Sequence, residues 1–389
     1  MRKSRLAFTA LALGAFVLMA GPAGAASYQF VSAPDSWNND IGDVRSAVGW
    51  DRGEPNSVNP SWRRAIKAVV DEMASREPRF VLVAGDTVEG EWDEDVDGLG
   101  TFGSTADLAG KRRAVRAAAR SYYPQWHAPF ARRGMRVHAA LGDHEIGDNW
   151  WNEPDERALV PTFRRAWARH FTLRGRRSRF VYANHPPAGT QHATTAYAFR
   201  SGPVLFVTVD TFHQRRSGVV HTEIVGTQLR WLQRVLSRAH RDPTVTFVIV
   251  QGHAPVLHPS RAVGSSELTV MGGSRSAFWR TLEANGVDLY LSGEMHAIST
   301  AAHGGVEQVV HGSTLAFGRY NYLTVAVSPE RLALTVREAR MARNRSSRLW
   351  QVGDKRPWAS IRVGRFRSVG TMTITADGSV QDRTGRFRR

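Results

Sequence analysis

The chain repeats one local pattern, a short apolar run followed by a turn and then an acidic or imidazole side chain. Tyr28 to Ser32 leads to Asp35, and Phe80 to Ala84 leads to Gly85-Asp86. Val137 to Leu141 leads to Gly142-Asp143-His144-Glu145. Thr246 to Val250 leads to Gly252-His253, and Val287 to Leu291 leads to Gly293-Glu294-Met295-His296. Short β-branched runs of this kind, bounded by turn residues, read as buried strands. Helical periodicity lies between several of them. Trp62, Ile66, Val69, Val70 and Met73 share one face after Asn59-Pro60, a helix start signal. Leu229, Leu232, Leu236 and Ala239 form a second face, and Phe278 and Leu282 a third that Gly286 closes. Strands alternating with helices predict an α/β sheet, and such sheets gather polar ligands at the carboxyl ends of their strands. Each polar residue named above sits where a strand would end.

At 389 residues and 42% apolar, the chain is long enough to bury a sizeable core. The absence of cysteine excludes a disulfide scaffold, a thiolate zinc site, an iron–sulfur cluster and a cysteine nucleophile. The formal net charge is +17, and only Lys3, Lys67, Lys111 and Lys355 among the basic residues are not arginine. Arginine favours bidentate contact with phosphate or carboxylate. The arginines are scattered rather than blocked, so a bias of composition is the simpler reading. A basic protein that binds nucleic acid or an anionic surface is the rival.

Arg2, Lys3 and Arg5 precede a nearly unbroken apolar run from Leu6 to Ala20, and Ala23-Gly24-Ala25-Ala26 offers small residues for cleavage. Residues 1–26 therefore read as a secretory signal peptide, which predicts a secreted or periplasmic protein. One large domain is expected over 27–340, with a long insertion inside 143–253. Residues 341–389 are read as C-terminal strands and a basic tail of the same domain. Thr195 to Arg200 and Val204 to Asp210 flank Ser201-Gly202, a hairpin signal. Further strands are expected at Val306 to Val310, Tyr322 to Val327, Leu332 to Val336 and Gly370 to Thr375, with a turn at Asp377-Gly378. Arg383 to Arg389 is expected to fray.

Taken in order, the motifs resemble those of the calcineurin-like metallophosphoesterases. Gly85-Asp86-Thr87-Val88-Glu89 resembles that family's Gly-Asp-x-x-Asp/Glu block, and Gly142-Asp143-His144-Glu145 its Gly-Asn-His-Asp/Glu block with Asp for Asn. Gly252-His253 is similar to the later Gly-His block. Gly293-Glu294-Met295-His296 is similar to the Gly-His-x-His block, with Glu for the first His. The resemblance runs from about Phe30 to His296. It implies a two-sheet β-sandwich flanked by helices, and hydrolysis of phosphate esters by a hydroxide that bridges two divalent metal ions. It implies Asp86 as the bridging ligand, Asp35 and His296 on the first metal, and Asp143, His253 and Glu294 on the second. It also implies His144 as the catalytic histidine, which Glu145 would orient.

The donor chemistry agrees, since carboxylate oxygen with imidazole nitrogen suits Mn, Fe, Zn or Mg rather than soft metals. Two ions about 3.5–4 Å apart can clamp a phosphoryl group and supply a nucleophile near neutral pH. Three departures shape the expectation. The family's first block is usually Asp-x-His, whereas here Trp37 follows Asp35-Ser36, so either Asn38 or Asp40 substitutes or the first metal is weakly held. Asp143 and Glu294 enrich the second site in carboxylate, which favours Mn or Mg, with Mn preferred. Glu89 stands where the purple acid phosphatases carry their iron-binding Tyr, which argues against that iron site.

Asp93, Asp95 and Asp97 before Gly98 copy the start of a calcium loop, but Ser104 takes the position of its closing Glu, and a solvated acidic loop is preferred. Gly98, Gly100 and Gly103 match a dinucleotide pattern by count only, without the strand and helix it needs. Trp37, Trp92, Trp150 and Trp151 lie near the motifs and are candidates to stack on an aromatic or nucleoside leaving group, with packing in the core at least as good a reading. The expected partner is a phosphate ester, with nucleotide or nucleic acid as possible forms of it. A metal-poor relative that binds phosphorylated ligands without turnover is the remaining alternative.

Overall fold

Alternation along the apolar runs decides the architecture, because successive side chains of a strand face opposite ways. Phe30 and Leu82 enter one core while their neighbours Val31, Val81 and Val83 enter another. A sheet apolar on both faces must be covered on both. The computed structural model describes residues 27–50, 60–95, 98, 100–175, 178–315, 317–344 and 360–388. The expected signal segment, 1–26, lies outside the described residues.

Two sheets result. In the first, Tyr28–Ser32, Val81–Ala84 and Val137–Ala140 pair in parallel. Helices Pro60–Ala74 and Leu108–Ala131 carry the chain between them. On its other side Tyr28–Ser32 pairs antiparallel with Arg319–Val327, where Tyr28 faces Val327. Arg331–Asn344, Arg367–Thr375 and Val380–Gln381 extend that side, and Ser360–Val363 makes the sheet eight-stranded. In the second sheet, of six strands, Val204–Thr208, Phe247–Gln251, Leu289–Ser292 and Val306–Val310 run parallel. Tyr197–Ser201 and Ser299–His303 close its edges antiparallel.

The sheets meet through Phe30, Phe80, Phe206, Ile249, Leu291 and Val325. Phe30 stacks on Phe80 at 5.5 Å and meets the edge of Phe206 at 5.3 Å. Each such side chain, fully buried, contributes about 1.5–3 kcal/mol. Outside the first sheet lie Trp62, Val69, Val70 and Met73 of the first helix, with Phe163 and Trp167 of helix Pro154–Phe171. Outside the second lie Leu232 and Leu236 of helix Gly226–His240, and Phe278 and Leu282 of helix Ala277–Ala284. The molecule is thus a helix-flanked two-sheet sandwich, the fold class expected.

Two features differ from the sequence reading. Helix Leu108–Ala131 carries no clear apolar period, and Pro124 and Pro129 inside it argue against a helix. Its buried face is built from small and aromatic residues, Val115, Ala118, Ala119, Tyr122, Trp126 and Phe130, and Asp107 caps its start by accepting from Gly110 N at 2.6 Å. The described part of the tail, through Arg388, does not fray. Phe387 is fully buried, and the Arg383 guanidinium donates to both oxygens of Glu307 at 2.9 and 2.6 Å.

Burial away from the site holds several histidines neutral. Burial lowers His127, His170 and His192 to about 4, and His138 and His311 to about 3. The unfolded chain protonates them near 6.5 while the folded chain does not. Between those values the unfolded state therefore binds more protons, and stability falls as pH falls. Each histidine costs up to about 1.4 kcal/mol per pH unit. Imidazole titration followed by NMR should show His138 and His311 still neutral at pH 5. Protonation of either above pH 5 in the folded protein would contradict neutral burial.

Candidate metal centre

The parallel strands of both sheets end at one edge of the sandwich, and the polar residues after them converge there. Asp35 follows Tyr28–Ser32, Asp86 follows Val81–Ala84, and Asp143 follows Val137–Ala140. From the second sheet, His253 follows Phe247–Gln251, and Glu294 and His296 follow Leu289–Ser292. All six are buried.

The residues form two groups of potential metal ligands. Asp86, Asp143, His253 and Glu294 bring one donor atom each within 4.8 Å of one another, and so do Asp35, Asp86 and His296. Asp86 belongs to both. His253 Nδ1 donates to the Ala84 carbonyl at 2.7 Å, which leaves Nε2 to face the acids. Asp143 Oδ1 lies 2.9 Å from Nε2, Glu294 Oε2 3.1 Å and Asp86 Oδ1 3.3 Å. His296 Nδ1 donates to the Val263 carbonyl at 3.0 Å in the same way. The backbone thus fixes both imidazoles so that Nε2 is the free ligand atom, as a metal-binding histidine requires.

The backbone is bent to achieve this. Among the described non-glycine residues eleven have positive φ, and Asp35, Trp37, Asn38, Asp86, Asp148, Glu294 and His296 are seven of them. Such conformations cost free energy and cluster where function imposes them. Two glycines let the loops close. A Cβ on Gly142 would lie 2.1 Å from Asp86 Oδ1, and one on Gly293 would lie 2.5 Å from Asp35 Oδ1.

The donor set fits cations. Asp35 Oδ2, Asp86 Oδ1, Asp143 Oδ1, Asn38 Oδ1 and His296 Nε2 are buried without a hydrogen-bond partner. Orphaned lone pairs of this kind are rare in native interiors and call for an explanation such as an ion. Burial pushes the Asp35 carboxyl well up, against the pull of His253. Burial and then the Asp143 carboxylate raise Asp86 as well. A divalent ion reverses this balance by compensating the clustered negative charge. Oxygen donors with two imidazoles select Mn, Fe, Zn or Mg in chemical terms.

Neighbouring residues hold the ligands in place. Glu294 spends Oε1 on Ser265 Oγ at 2.8 Å, Ser266 Oγ at 2.9 Å and Leu268 N at 3.0 Å, so only Oε2 faces the cluster. Asn149 Nδ2 donates to Asp143 Oδ2 at 2.6 Å and to Ser266 Oγ at 3.0 Å. Asp148 joins Asp143 and His144 in a third group. Sequence reasoning missed Asp148, Asn149, Ser265 and Ser266. Only the closeness of Asp148 and Asn149 to His144 in the chain could have drawn notice to that pair.

His144 stands over the Asp86 side of the site. Its Nδ1 donates to the Glu89 carbonyl at 2.5 Å, and its Nε2 lies 3.8 Å from both Asp86 Oδ2 and Asp148 Oδ1. Burial works against its charge, but Asp148, Asp86 and Asp143 outweigh burial and raise it well above an ordinary histidine. Glu145 does not orient it. The Glu145 carboxylate accepts from Asp86 N at 2.9 Å, from Thr87 N, Thr87 Oγ1 and Gly142 N at 2.7 Å each, and is fully buried. It braces the loops that carry Asp86 and Asp143 and has no capacity left for a neighbour.

Trp37 turns into the core, stacked against Phe130 at 6.0 Å and Tyr320 at 6.2 Å. Of the two candidates to replace the missing histidine, Asp40 is spent elsewhere. It accepts from Glu89 N at 3.0 Å and Trp92 Nε1 at 2.6 Å, and burial and then the Glu89 charge raise it to about 8. Asn38 is at the site, its Nδ2 3.4 Å from Asp86 Oδ2 and 3.3 Å from His144 Nε2. Trp92 and Trp151 are also buried, so of the four tryptophans only Trp150 is exposed, at 61%. In the acidic loop Asp93 is buried and Asp95 Oδ1 accepts from Gly100 N at 2.8 Å, a local turn contact, while Asp97 lies outside the described residues.

Known proteins bear on the whole chain. The family model described as calcineurin-like phosphoesterase matches residues 39–297. That span starts after Asp35 and ends just past His296, so the place of Asp35 rests on geometry. No curated protein matches the chain by sequence. Among solved structures, that of PhoD is 12% identical with a TM-score of 0.53, covering 94% of this chain and 73% of its own. A dimetal phosphatase from Danio rerio is 13% identical at 0.45, covering 79% of this chain and 95% of its own. The purple acid phosphatase PPD1 from yellow lupin (Lupinus luteus) seeds is 12% identical at 0.49, covering 81% and 52%. The PhoD likeness speaks to fold.

Proposed function

This chain belongs to the calcineurin-like phosphoesterase family, and from that premise we propose that it is an exported phosphoesterase working through two divalent cations, with Mn preferred. One observation carries the reading, the sharing of Asp86 between two groups of converging lone-pair donors. When bound, such a pair of ions supplies a positive clamp on the phosphoryl oxygens and a water acidic enough to attack near neutral pH.

The remaining work falls to the chain. Asp35, Asp86 and His296, with Asn38 beside them, would hold one cation, and Asp86, Asp143, His253 and Glu294 the other. The carbonyl partners of His253 and His296 hold their Nδ1 protons, so that each ring presents Nε2 to a cation. His144 keeps its Nδ1 proton on the Glu89 carbonyl and presents Nε2 beside Asp86. Asp148 and Asp86 favour a proton on that nitrogen, suited for donation to a departing alkoxide or phenoxide. Export is read from Arg2 to Ala26.

The test is hydrolysis of an aryl phosphate monoester and an aryl phosphate diester by the Mn-loaded protein, with bound metal measured alongside. Turnover with two ions per chain is the expected result, and the faster substrate names the bond class. Two ions without turnover on a wide ester panel would favour a ligand-binding relative. Failure to retain any ion would remove the proposal.

A further inference from the structure

Helices Leu108–Ala131 and Pro154–Phe171 pack side by side, and between them lies a groove of about 330 Å³. Arg112 and Arg116 line it from the first helix, and Arg165 and Arg169 from the second, with Ala158, Pro161, Thr162 and Ala166. No carboxylate lines it, and none of the metal-centre residues does. The first helix contains no acidic residue at all, and the second has acids only in its first turn, Asp155 and Glu156. Among the described residues none of the four arginines forms an ion pair.

Each helix contributes its two arginines at a four-residue spacing, and like charges at that spacing are destabilising. The same helix pair does use an ion pair nearby, between Lys111 and Asp155 at 3.5 Å. The groove instead keeps four guanidinium groups together with no internal counterion. Guanidinium is a planar fork of donors matched to phosphate oxygens, and always charged. The Thr162 hydroxyl adds a neutral donor. The volume is at the small end for ligand sites, enough for a phosphate with a small attached group. We propose that this groove is a second anion site, which binds a phosphate dianion either free or as a phosphomonoester. It is independent of the metal centre and stands whether or not that centre turns over substrate.

The test is calorimetric titration of orthophosphate into the Mn-loaded full chain. Two classes of site are expected. Asp86→Ala should abolish the class at the metal centre. The double substitution R165A/R169A should weaken the other at least tenfold while leaving aryl phosphate turnover unchanged. Arg165 and Arg169 are exposed, so their truncation leaves the core intact. R113A/R230A removes two other exposed arginines and the same charge, and should leave both classes in place. Titrating glycerol phosphate into the Asp86→Ala protein separates the sources, because the tighter of it and orthophosphate identifies the form the groove takes. A single class lost in Asp86→Ala, or equal weakening by R113A/R230A, would overturn the proposal.

Discussion

Asp86→Ala should release both cations and lower phosphoesterase turnover by roughly a thousandfold or more. The size follows from sharing. Of the two groups proposed to hold cations, each other ligand belongs to one, but Asp86 belongs to both, so its loss opens both at once. Asp143→Ala should leave Asp35, Asp86 and His296 able to retain one ion. Metal content by mass spectrometry separates the two variants, with near zero ions per chain for the first and one for the second. The shared-ligand reading fails if Asp86→Ala protein still holds two ions or keeps a tenth of its turnover. Loss of fold is a separate matter. Removing a carboxyl that has one orphaned oxygen in an acidic cluster should leave the metal-free melting temperature unchanged or raise it.

The second large effect falls on Glu145, and it concerns stability. Its carboxylate satisfies three buried backbone N–H groups and the Thr87 hydroxyl. Each unsatisfied buried donor costs about 1–3 kcal/mol, so Glu145→Ala should destabilise the protein by about 3–5 kcal/mol in urea unfolding. Glu145→Gln should be nearly as harmful, because the amide presents hydrogens to donors. Activity would fall with the folded fraction, and the pH–rate profile of the surviving protein would keep its shape. A variant of unchanged stability with a displaced pH profile would return Glu145 to the chemistry and remove the brace.

The legible part of this protein was its strand ends. An apolar run, a glycine and then Asp, His or Glu carries the whole local instruction, since the strand buries itself and the next side chain is delivered to the sheet edge. Asp35, Asp86, Asp143, His253, Glu294 and His296 are therefore marked by the sequence alone, and the fold brings all six together. The role of Glu145 was not legible, because the donors it serves at Asp86 and Thr87 come from a different strand. Ser265 and Ser266 likewise reach Glu294 only through the tertiary fold. Trp37 read as a damaged ligand position, yet the core uses it between Phe130 and Tyr320. The helix Leu108–Ala131 was hidden by prolines and alanines, whose local preferences say little about what packs against them.

The pairing of Tyr28–Ser32 has a consequence for how the chain is made. This strand carries Asp35 and lies inside its sheet, with Val81–Ala84 on one flank and Arg319–Val327 on the other. One neighbour is synthesised early and the other near the end. Until Arg319–Val327 emerges, an interior strand of the sheet has an open edge, able to pair with any passing chain. Contacts between such distant residues also make closure slow. A nascent or truncated chain ending before Arg319 is thus a sticky intermediate, and holding it apart from its neighbours is a task for the cell's chaperones.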